Sequence, residues 1–331
     1  MIKKLRYYIT QNTWPYRNLA VEEYLLRHVE EGECILYLWQ NRHTVVIGRN
    51  QNAWAECRTK ELEESGGHLV RRLSGGGAVY HDLGNLNFTF LARTDDYNVK
   101  RQLSVILHAV RALGLEAEAT GRNDITIHGQ KFSGNAFYQS GGQCYHHGTI
   151  LVNVDMSKLG QYLSVSKSKL ESKGVSSVRA RVVNLTELRP DLTIDMLRRQ
   201  LVTSFGAVYG LEPELISEKE FDAAMLEAST GRFASWEWRY GAKTSFDEQV
   251  KTRFTWGDVE LTWCVDSGYM KAVRLFSDGL EADFLAEIPA KLEGCRYDSA
   301  VITERLSSIV VENDGQGQIV KDLTQLLIEQ F

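Results

Sequence analysis

The alternation of apolar and polar residues predicts strands that follow one another closely. Two apolar runs, 34–39 and 44–48, are separated by a short polar link and predict a pair of strands. Residues 86–92 alternate and predict another strand, and the stretches 124–139 and 147–155 predict further strands separated by a glycine-rich turn. Because sequential strands have short links, the pattern favours an α/β (α+β) fold with a mixed, mostly antiparallel sheet and flanking helices. A doubly wound parallel sheet fits less well.

Apolar residues at helical spacing predict helices between and after these strands. Residues 17–30 and 99–113 place apolar side chains three and four positions apart, and Gly114 supplies the stop of the second stretch. Residues 193–210 predict a further helix that ends at Gly210.

The C-terminal quarter of the chain has a different pattern. Residues 253–278 predict a small meander of strands with turns at Gly257–Asp258 and Ser267–Gly268, and short helical patterns complete the chain. We therefore expect two domains, at 1–244 and 245–331.

Composition indicates an ordinary globular chain and excludes several classes of protein. The 331 residues are 43% hydrophobic and 24% charged, and the net charge of −5 argues against general affinity for nucleic acid. The N-terminus has no apolar signal core and no stretch is long enough to cross a bilayer, so we expect a cytoplasmic protein without membrane partners. Five widely spaced cysteines with no CxxC argue against a disulfide framework and against a structural zinc site.

A glycine run beside two arginines, at residues 71–77, is the first chemically suggestive stretch. Backbone N–H groups of consecutive glycines next to Arg71, Arg72 and Ser74 could bind an anion, while a tight glycine hairpin with solvated arginines explains the same residues. The fixed phosphate motifs do not decide between the two interpretations, because Tyr80 stands where GxGxxG needs its third glycine and GxxxxGK[ST] is absent.

Three further stretches carry charged or titratable residues. Lys131 and Ser133 point to one face of a predicted strand, where the ammonium would be either a site for phosphate or carboxylate or an ordinary exposed lysine. The adjacent His146 and His147 face opposite sides of a strand, which argues against a shared metal. The basic stretch 157–185 is either a solvated surface helix or a flap that closes over an anion.

Together these stretches resemble the lipoate–protein ligase A family. The matching stretches follow one another in order from residue 14 to residue 261. The resemblance thus covers nearly the whole chain, apart from the helical patterns at its C-terminal end. The motifs that carry it are RRLSGGGAVYHDLGN (71–85), GRNDITIHGQKFSGNA (121–136), HHGTILVNVD (146–155), KGVSSVRARVVNLTEL (173–188) and RFTWGDVEL (253–261).

The resemblance implies a catalytic domain of the biotin and lipoate protein ligase type, followed by a small C-terminal α+β accessory domain. It implies that lipoate and Mg-ATP give lipoyl-AMP and pyrophosphate, and that the acyl group then passes to a lysine of a lipoyl domain. The expected partners are the lipoyl domains of 2-oxoacid dehydrogenase acyltransferase subunits and the glycine cleavage H protein. A slot that binds the eight-carbon acyl chain of lipoate would also accept octanoate, because each buried methylene contributes only about 0.8 kcal/mol.

The resemblance also implies roles for individual residues, with Lys131 as the catalytic residue that contacts both the acyl carbonyl and the phosphate. Asp124 is the implied contact for Mg²⁺. Binding of ATP or the adenylate is implied for Arg72, Gly77, Ala78, Val79, Tyr80, Asn123, Asp124, Lys131 and Arg179. Binding of lipoate is implied for Arg71, Ser74, Gly75, Gly76, Lys131, His147 and Gly148. The segment 167–181 is the implied adenylate-binding loop.

Two alternatives remain open at this point. An octanoyl or lipoyl transferase of the same superfamily would take its acyl group from a thioester with a cysteine nucleophile, and Cys144 is the one cysteine inside a motif region. A non-catalytic module that binds lipoate or docks a carrier is the second alternative, which the joint presence of Arg72, the glycines and Lys131 disfavours.

Overall fold

The computed structural model describes residues 1–51, 53–120, 124–163, 182–235, 238–239, 248–266 and 269–329. Contacts between residues divide the chain into two units. The first comprises Met1–Val46, Trp54–Arg71 and Val79–Arg239, and the second comprises Ile47–Ala53, Arg72–Ala78 and Tyr240–Phe331. The predicted domain boundary at 244 lies outside the described residues and stays a prediction.

The described elements are as follows in chain order. The strands are β1 (Lys4–Ile9), β2 (Glu33–Trp39), β3 (Thr44–Ile47), β4 (His68–Arg71), β5 (Val79–His81), β6 (Asn85–Arg93), β7 (Ala117–Thr120), β8 (Asp124–Ile127), β9 (Gln130–Ser140), β10 (Gln143–Leu151), β11 (Pro213–Leu215), β12 (Glu248–Phe254), β13 (Gly257–Asp266) and β14 (Tyr269–Ser277). The helices are α1 (Pro15–His28), α2 (Ala53–Glu56), α3 (Thr59–Glu64), α4 (Val99–Ala112), α5 (Met156–Tyr162), α6 (Leu185–Leu188), α7 (Ile194–Tyr209), α8 (Ala223–Ala234), α9 (Ala282–Leu292), α10 (Ser299–Ser307) and α11 (Asp314–Ile328).

An eight-stranded sheet in the order β11-β1-β2-β6-β10-β9-β8-β7 forms the centre of the first unit. β1 runs parallel to both of its neighbours, β2 and β11. All the other neighbouring pairs in this order, from β2–β6 to β8–β7, are antiparallel. The mostly antiparallel sheet predicted from the sequence is therefore confirmed.

The predicted pairing of the strands at 34–39 and 44–48 is wrong. β2 pairs with β1 and β6, whereas β3 joins β4 and β5 in a separate three-stranded sheet. Every residue of β2 is buried, so both of its faces must be covered and the strand lies inside the large sheet. His43, with φ of 43°, redirects the chain just before β3.

Helices cover both faces of the large sheet and contact alternate residues of its strands. On one face, α4 and α7 pack over Phe88 and Phe90 of β6 with an apolar cluster that includes Ile106 and Phe205. Helix α1, which packs against α8, lies on the other face, where Glu22 reaches β6 and β10. The predicted helices at 17–30, 99–113 and 193–210 are thus present, with Gly210 as the residue directly after the last residue of α7.

The second unit contains the predicted C-terminal meander. Strands β12, β13 and β14 pair in antiparallel order, and α9, α10 and α11 supply the rest of its apolar core. The first turn lies two residues earlier than predicted, at residues 255–256, because Gly257 already pairs with Phe254. The predicted turn at 267–268 lies outside the described residues. Within the described part of the chain, no helix is long and apolar enough to span a membrane.

Candidate active site

Strands β8 and β9 form a hairpin that carries an ion pair. The Nζ atom of Lys131 lies 2.6 Å from Oδ1 of Asp124, and the two side chains are 35% and 41% exposed. His128 and Gly129 form the turn with φ of 51° and 76°, which suits a tight two-residue hairpin connection. The ammonium is thus fixed on a rigid strand, is reachable from solvent and is held by one carboxylate.

A bulge at Phe132 in β9 determines which neighbours share a face with Lys131. Phe132, which is completely buried in the core of the first unit, is an extra residue in β9: Lys131 pairs with Thr126, whereas Ser133 pairs with the core residue Ile125. The predicted common face of Lys131 and Ser133 is therefore wrong. A Cβ atom at Gly134 would lie 3.0 Å from Nζ of Lys131, so the glycine leaves room for the lysine side chain. The hydroxyl of Ser133 is buried and, among the described residues, has no hydrogen-bond partner.

The chain also returns to this lysine from farther along the sequence. The N–H of Val183 donates to the carbonyl oxygen of Lys131 over 3.0 Å, and Val182 forms a β-bridge with the same residue. The proposed adenylate-binding segment 167–181, with Arg179, precedes these residues. That segment and Asn123 lie outside the described residues.

His147 belongs to a buried polar network that motif reasoning missed. Its Nδ1 lies 2.8 Å from Oε1 of Glu22, and the same oxygen accepts the hydroxyl of Thr89 over 2.7 Å. The indole N–H of Trp39 donates to Thr89 over 3.1 Å. Glu22 is 1% exposed, and a carboxylate in the apolar stripe of α1 is the sequence signal that could have pointed to it.

The neighbouring His146 faces the other side of β10, as predicted. Its ring nitrogens lie 3.2 Å from Oε1 of Gln102 and 2.8 Å from Oδ1 of Asn135. Burial, reinforced by the nearby His147, lowers the pKa of His146 to about 3, so the ring is neutral at physiological pH. Among the described residues no group of three or more His, Cys, Asp or Glu side chains could hold a metal.

Gly148 follows the two histidines and is required by packing between strands. A Cβ atom there would lie 2.6 Å from the ring of Phe88 and 2.7 Å from the carbonyl oxygen of Gly134. Close approach of neighbouring strands therefore accounts for this glycine, and a role in binding lipoate stays a prediction.

The glycine segment of the second unit is organised around Arg72. The guanidinium is 5% exposed and donates to the hydroxyl of Ser74 and to the carbonyl oxygens of Gly75 and Gly77, over 2.6–3.0 Å. These hydrogen bonds tie the side chain of Arg72 to the loop that follows it. A solvated arginine beside a tight two-residue hairpin would not make them.

The glycines of this segment approach protein backbone. A Cβ atom at Gly75 would lie 2.1 Å from the carbonyl oxygen of Gly279, and that oxygen also accepts the N–H of Gly76 over 3.3 Å. A Cβ atom at Gly48 would lie 2.2 Å from the carbonyl oxygen of Gly76. Close packing against Gly48 and Gly279 therefore accounts for Gly75 and Gly76, and a role of these two glycines in binding lipoate stays a prediction.

Arg71 and Tyr80, in the first unit, are both engaged by neighbouring residues. Arg71 donates to the carbonyl oxygens of Trp238 and Arg239, and burial lowers its pKa to about 10. The hydroxyl of Tyr80 lies 2.9 Å from Nδ1 of His43, its ring stacks on Tyr162, and burial raises the pKa of Tyr80. Arg71 therefore fixes the backbone at 238–239, and Tyr80 packs in an aromatic cluster.

Cys144 lacks the environment of a nucleophile. It is completely buried in β10, its Sγ lies 3.5 Å from the hydroxyl of Thr94, and burial raises the pKa of the thiol. Reactive cysteines are partly exposed and have lowered pKa values. The transferase alternative therefore loses its candidate nucleophile.

The predicted site residues are divided between the two units. The first unit brings Lys131 to Asp124 and connects His147 to Glu22. Arg71, Val79, Tyr80, Asp124, Lys131, His147 and Gly148 belong to the first unit, whereas Arg72, Ser74, Gly75, Gly76, Gly77 and Ala78 belong to the second.

The fold and these residues can be compared with known proteins. The family model of the lipoyl protein ligase A/B catalytic domain matches residues 14–206, and that of the bacterial lipoate protein ligase C-terminus matches residues 243–327. The family models describe a ligase, and hence an enzyme. The chain belongs to the lipoate–protein ligase family.

Solved structures agree with this placement. P. falciparum LipL1, in complex with lipoate, is 30% identical, has a TM-score of 0.84, and the match covers 97% of this chain and 99% of that chain. A bipartite archaeal lipoate protein ligase from Thermoplasma acidophilum, described with its E2 lipoyl domain, is 29% identical with a TM-score of 0.64, covering 73% and 98%. Lipoate-protein ligase A bound with ATP is 28% identical with a TM-score of 0.61, covering 73% and 99%.

Proposed function

We propose that this protein activates lipoate with ATP and transfers the lipoyl group to a lysine of a lipoyl domain. The lipoate-bound LipL1, the ATP-bound ligase A and the archaeal ligase described with its E2 lipoyl domain support the three substrates of this reaction. The lipoyl domains of 2-oxoacid dehydrogenase acyltransferase subunits and the glycine cleavage H protein are the proposed acceptors. Such an enzyme would let a cell use free lipoate.

The first step of the reaction requires positive charge where the carboxylate of lipoate meets the α-phosphate of ATP. A carboxylate is a poor acyl donor, so its oxygen attacks the α-phosphorus of ATP, pyrophosphate leaves, and a mixed anhydride forms. The acceptor amine then attacks the acyl carbon, AMP leaves, and the nitrogen loses a proton. Since two anions must meet in the first step, positioning and charge stabilisation are the main tasks of the protein.

The observation that supports the proposal most directly is the ion pair between Lys131 and Asp124. Its ammonium is fixed on β9, is partly exposed and, among the described residues, has one carboxylate partner, at 2.6 Å. Exposed ion pairs contribute only about 0–1 kcal/mol, so Lys131 can exchange Asp124 for the oxygens of lipoate and of the α-phosphate at small cost. Both oxygens would accept charge-assisted hydrogen bonds from the same ammonium.

Asp124 fits a magnesium ion that arrives with its nucleotide. Mg²⁺ is commonly bound by one or two carboxylates together with substrate phosphates. Asp124 supplies one carboxylate, and the described residues contain no cluster that would hold the ion without a nucleotide. Bound Mg²⁺ would neutralise phosphate charge, and Asp124 would exchange its contact with Lys131 for the ion.

The remaining predicted contacts are assigned on the resemblance. Residues 77–80 and Arg72, with Asn123 and Arg179, are proposed to bind ATP or the adenylate. Arg71, residues 74–76, His147 and Gly148 are proposed to bind lipoate. Octanoate is expected to be a second substrate, because an apolar slot separates similar chains weakly.

Mass spectrometry of an acceptor tests the proposal. The purified protein is mixed with an apo lipoyl domain, lipoate, ATP and Mg²⁺, and the intact mass of the domain is measured. We expect the mass of one lipoyl group to be added at the acceptor lysine, and nothing when ATP is omitted. Modification from an acyl thioester without ATP would overturn the proposal in favour of a transferase. No modification under any condition would favour a binding module.

A further inference from the structure

A cavity of about 420 Å³ lies beside the N-terminus of α7 in the first unit. Its lining includes Thr10 and Thr13 from the connection between β1 and α1, Gln40 after β2, and Asp195 and Arg198 of α7. None of its lining residues is among those assigned above to ATP, lipoate or magnesium. The cavity therefore needs an explanation of its own.

Arg198 places a buried positive charge in this lining. The residue is 7% exposed, its NH2 group donates to Oε1 of Gln40 over 2.7 Å, and its NH1 group donates to Oδ1 of Asp195 over 3.2 Å. Within the described ranges, its Nε finds no acceptor. Because the side chain of Asp195 is 76% exposed, water weakens that ion pair and the buried guanidinium is only partly compensated.

The start of α7 adds positive potential at the same place. The hydroxyl of Thr193 accepts the N–H of Met196 over 3.2 Å, which caps one of the first-turn donors. The N–H groups of Ile194 and Asp195 lie in the first turn of α7, where backbone donors have no acceptor within the helix. Both residues line the cavity. Helix N-termini attract anions through such N–H groups and through the helix dipole.

We propose that this cavity binds a small free oxyanion, of the phosphate or carboxylate class. A buried guanidinium with an unpartnered N–H and the N-terminal turn of a sixteen-residue helix would both donate to one anion. Water alone could occupy the space but would leave the charge of Arg198 partly uncompensated, whereas an oxyanion balances it. The hydroxyl and amide side chains of the lining supply further neutral donors.

Calorimetric titration with inorganic phosphate at constant ionic strength tests the proposal. Arg198→Met should weaken phosphate binding at least tenfold, while Arg199→Met, at an exposed neighbour on the same helix, should leave it unchanged. Asp195→Asn should tighten binding several-fold, since it removes the competing negative charge. The Lys131→Ala variant should retain this binding, which separates the cavity from the proposed ATP site.

A parallel titration with acetate identifies the preferred oxyanion, because a carboxylate site binds acetate at least as tightly as phosphate. Phosphate binding that Arg198→Met leaves intact would overturn the proposal, as would no heat beyond that of chloride. If Arg198→Met does not fold, Asp195→Asn decides, because unchanged or weaker binding in that variant contradicts the assignment. Neither result depends on whether the protein ligates lipoate.

Discussion

Two regions of the molecule carry a cation that the resemblance assigns to ATP, and they hold it in opposite ways. Arg72 is buried and donates to three acceptors in its own loop. Lys131 is partly exposed and contacts one carboxylate at the edge of a hairpin. Hydrogen bonds to a buried charged group contribute about 1.5–3 kcal/mol each, whereas an exposed ion pair contributes about 1 kcal/mol or less. Arg72 therefore maintains a backbone shape, while Lys131 can change partners during a reaction.

The largest expected effect is on catalysis at Lys131. Lys131→Ala should reduce lipoate-dependent release of pyrophosphate about 100-fold or more, because it removes a charge that stabilises the transition state. The melting temperature should stay nearly unchanged, since the lost ion pair is exposed.

Lys251 provides the matched control for this change. It is also a strand lysine paired with a carboxylate, at 3.2 Å from Glu260. Lys251→Ala should retain normal turnover. Equal activity of the two variants, or a large loss of stability in Lys131→Ala, would remove the distinction between the two kinds of cation.

The glycine segment should respond in stability. Gly75→Ala places a methyl group 2.1 Å from the carbonyl oxygen of Gly279, so backbone must move and the free energy of unfolding should fall by about 1–3 kcal/mol. Within the part of the chain that the structure describes, a Cβ atom at Gly77 would meet only the carboxylate of Asp278, at 3.8 Å, so Gly77→Ala should change stability by about 0.5 kcal/mol or less. Urea unfolding of both variants measures the difference. Equal midpoints would mean that the segment is not fixed by the contact at Gly279.

His146 extends the comparison to a buried group that must stay neutral. Its pKa in the folded protein, about 3, lies below the ordinary 6.5, so the unfolded chain binds the proton first as the pH falls. The stability that neutral His146 provides is complete above pH 6.5 and is lost as the pH falls toward 3. Between pH 7 and pH 5 we expect a loss of about 2 kcal/mol from this group.

Unfolding of the wild type and of His146→Phe at both pH values isolates that contribution. Removing the imidazole should flatten the pH dependence of stability, whatever the variant's stability at pH 7. An unchanged slope would show that His146 does not resist protonation in the folded state.

The last prediction concerns Asp124, where the expected effect on stability is small. Asp124→Asn removes one member of an exposed pair and should change the free energy of unfolding by less than about 1 kcal/mol. If Asp124 also contacts the magnesium of bound ATP, the variant should need more Mg²⁺ for half-maximal release of pyrophosphate. An unchanged magnesium titration would limit Asp124 to holding Lys131.

Sequence predicts local elements and motif residues well and long-range partners poorly. The helices α4 and α7 follow from the local sequence, whereas the bulge at Phe132, which separates the faces of Lys131 and Ser133, does not. The partner of β2 does not, since pairing with β6 depends on burial of both faces. Glu22 and Thr89 join His147 only because α1 crosses β6 and β10, and Arg198 becomes notable only once its burial is known. The close approach of Gly75 to Gly279 cannot be predicted from the sequence either, because the two residues are far apart along the chain.

Trapping the intermediate provides the most decisive measurement. The protein is mixed with lipoate and ATP labelled at the α-phosphate, without any acceptor, and the reaction is quenched within one turnover. We predict a labelled lipoyl-adenylate that stays with the enzyme, forms equally in Cys144→Ser and is lost in Lys131→Ala. Absence of this adenylate, together with an acyl group bound to Cys144, would contradict the proposed mechanism.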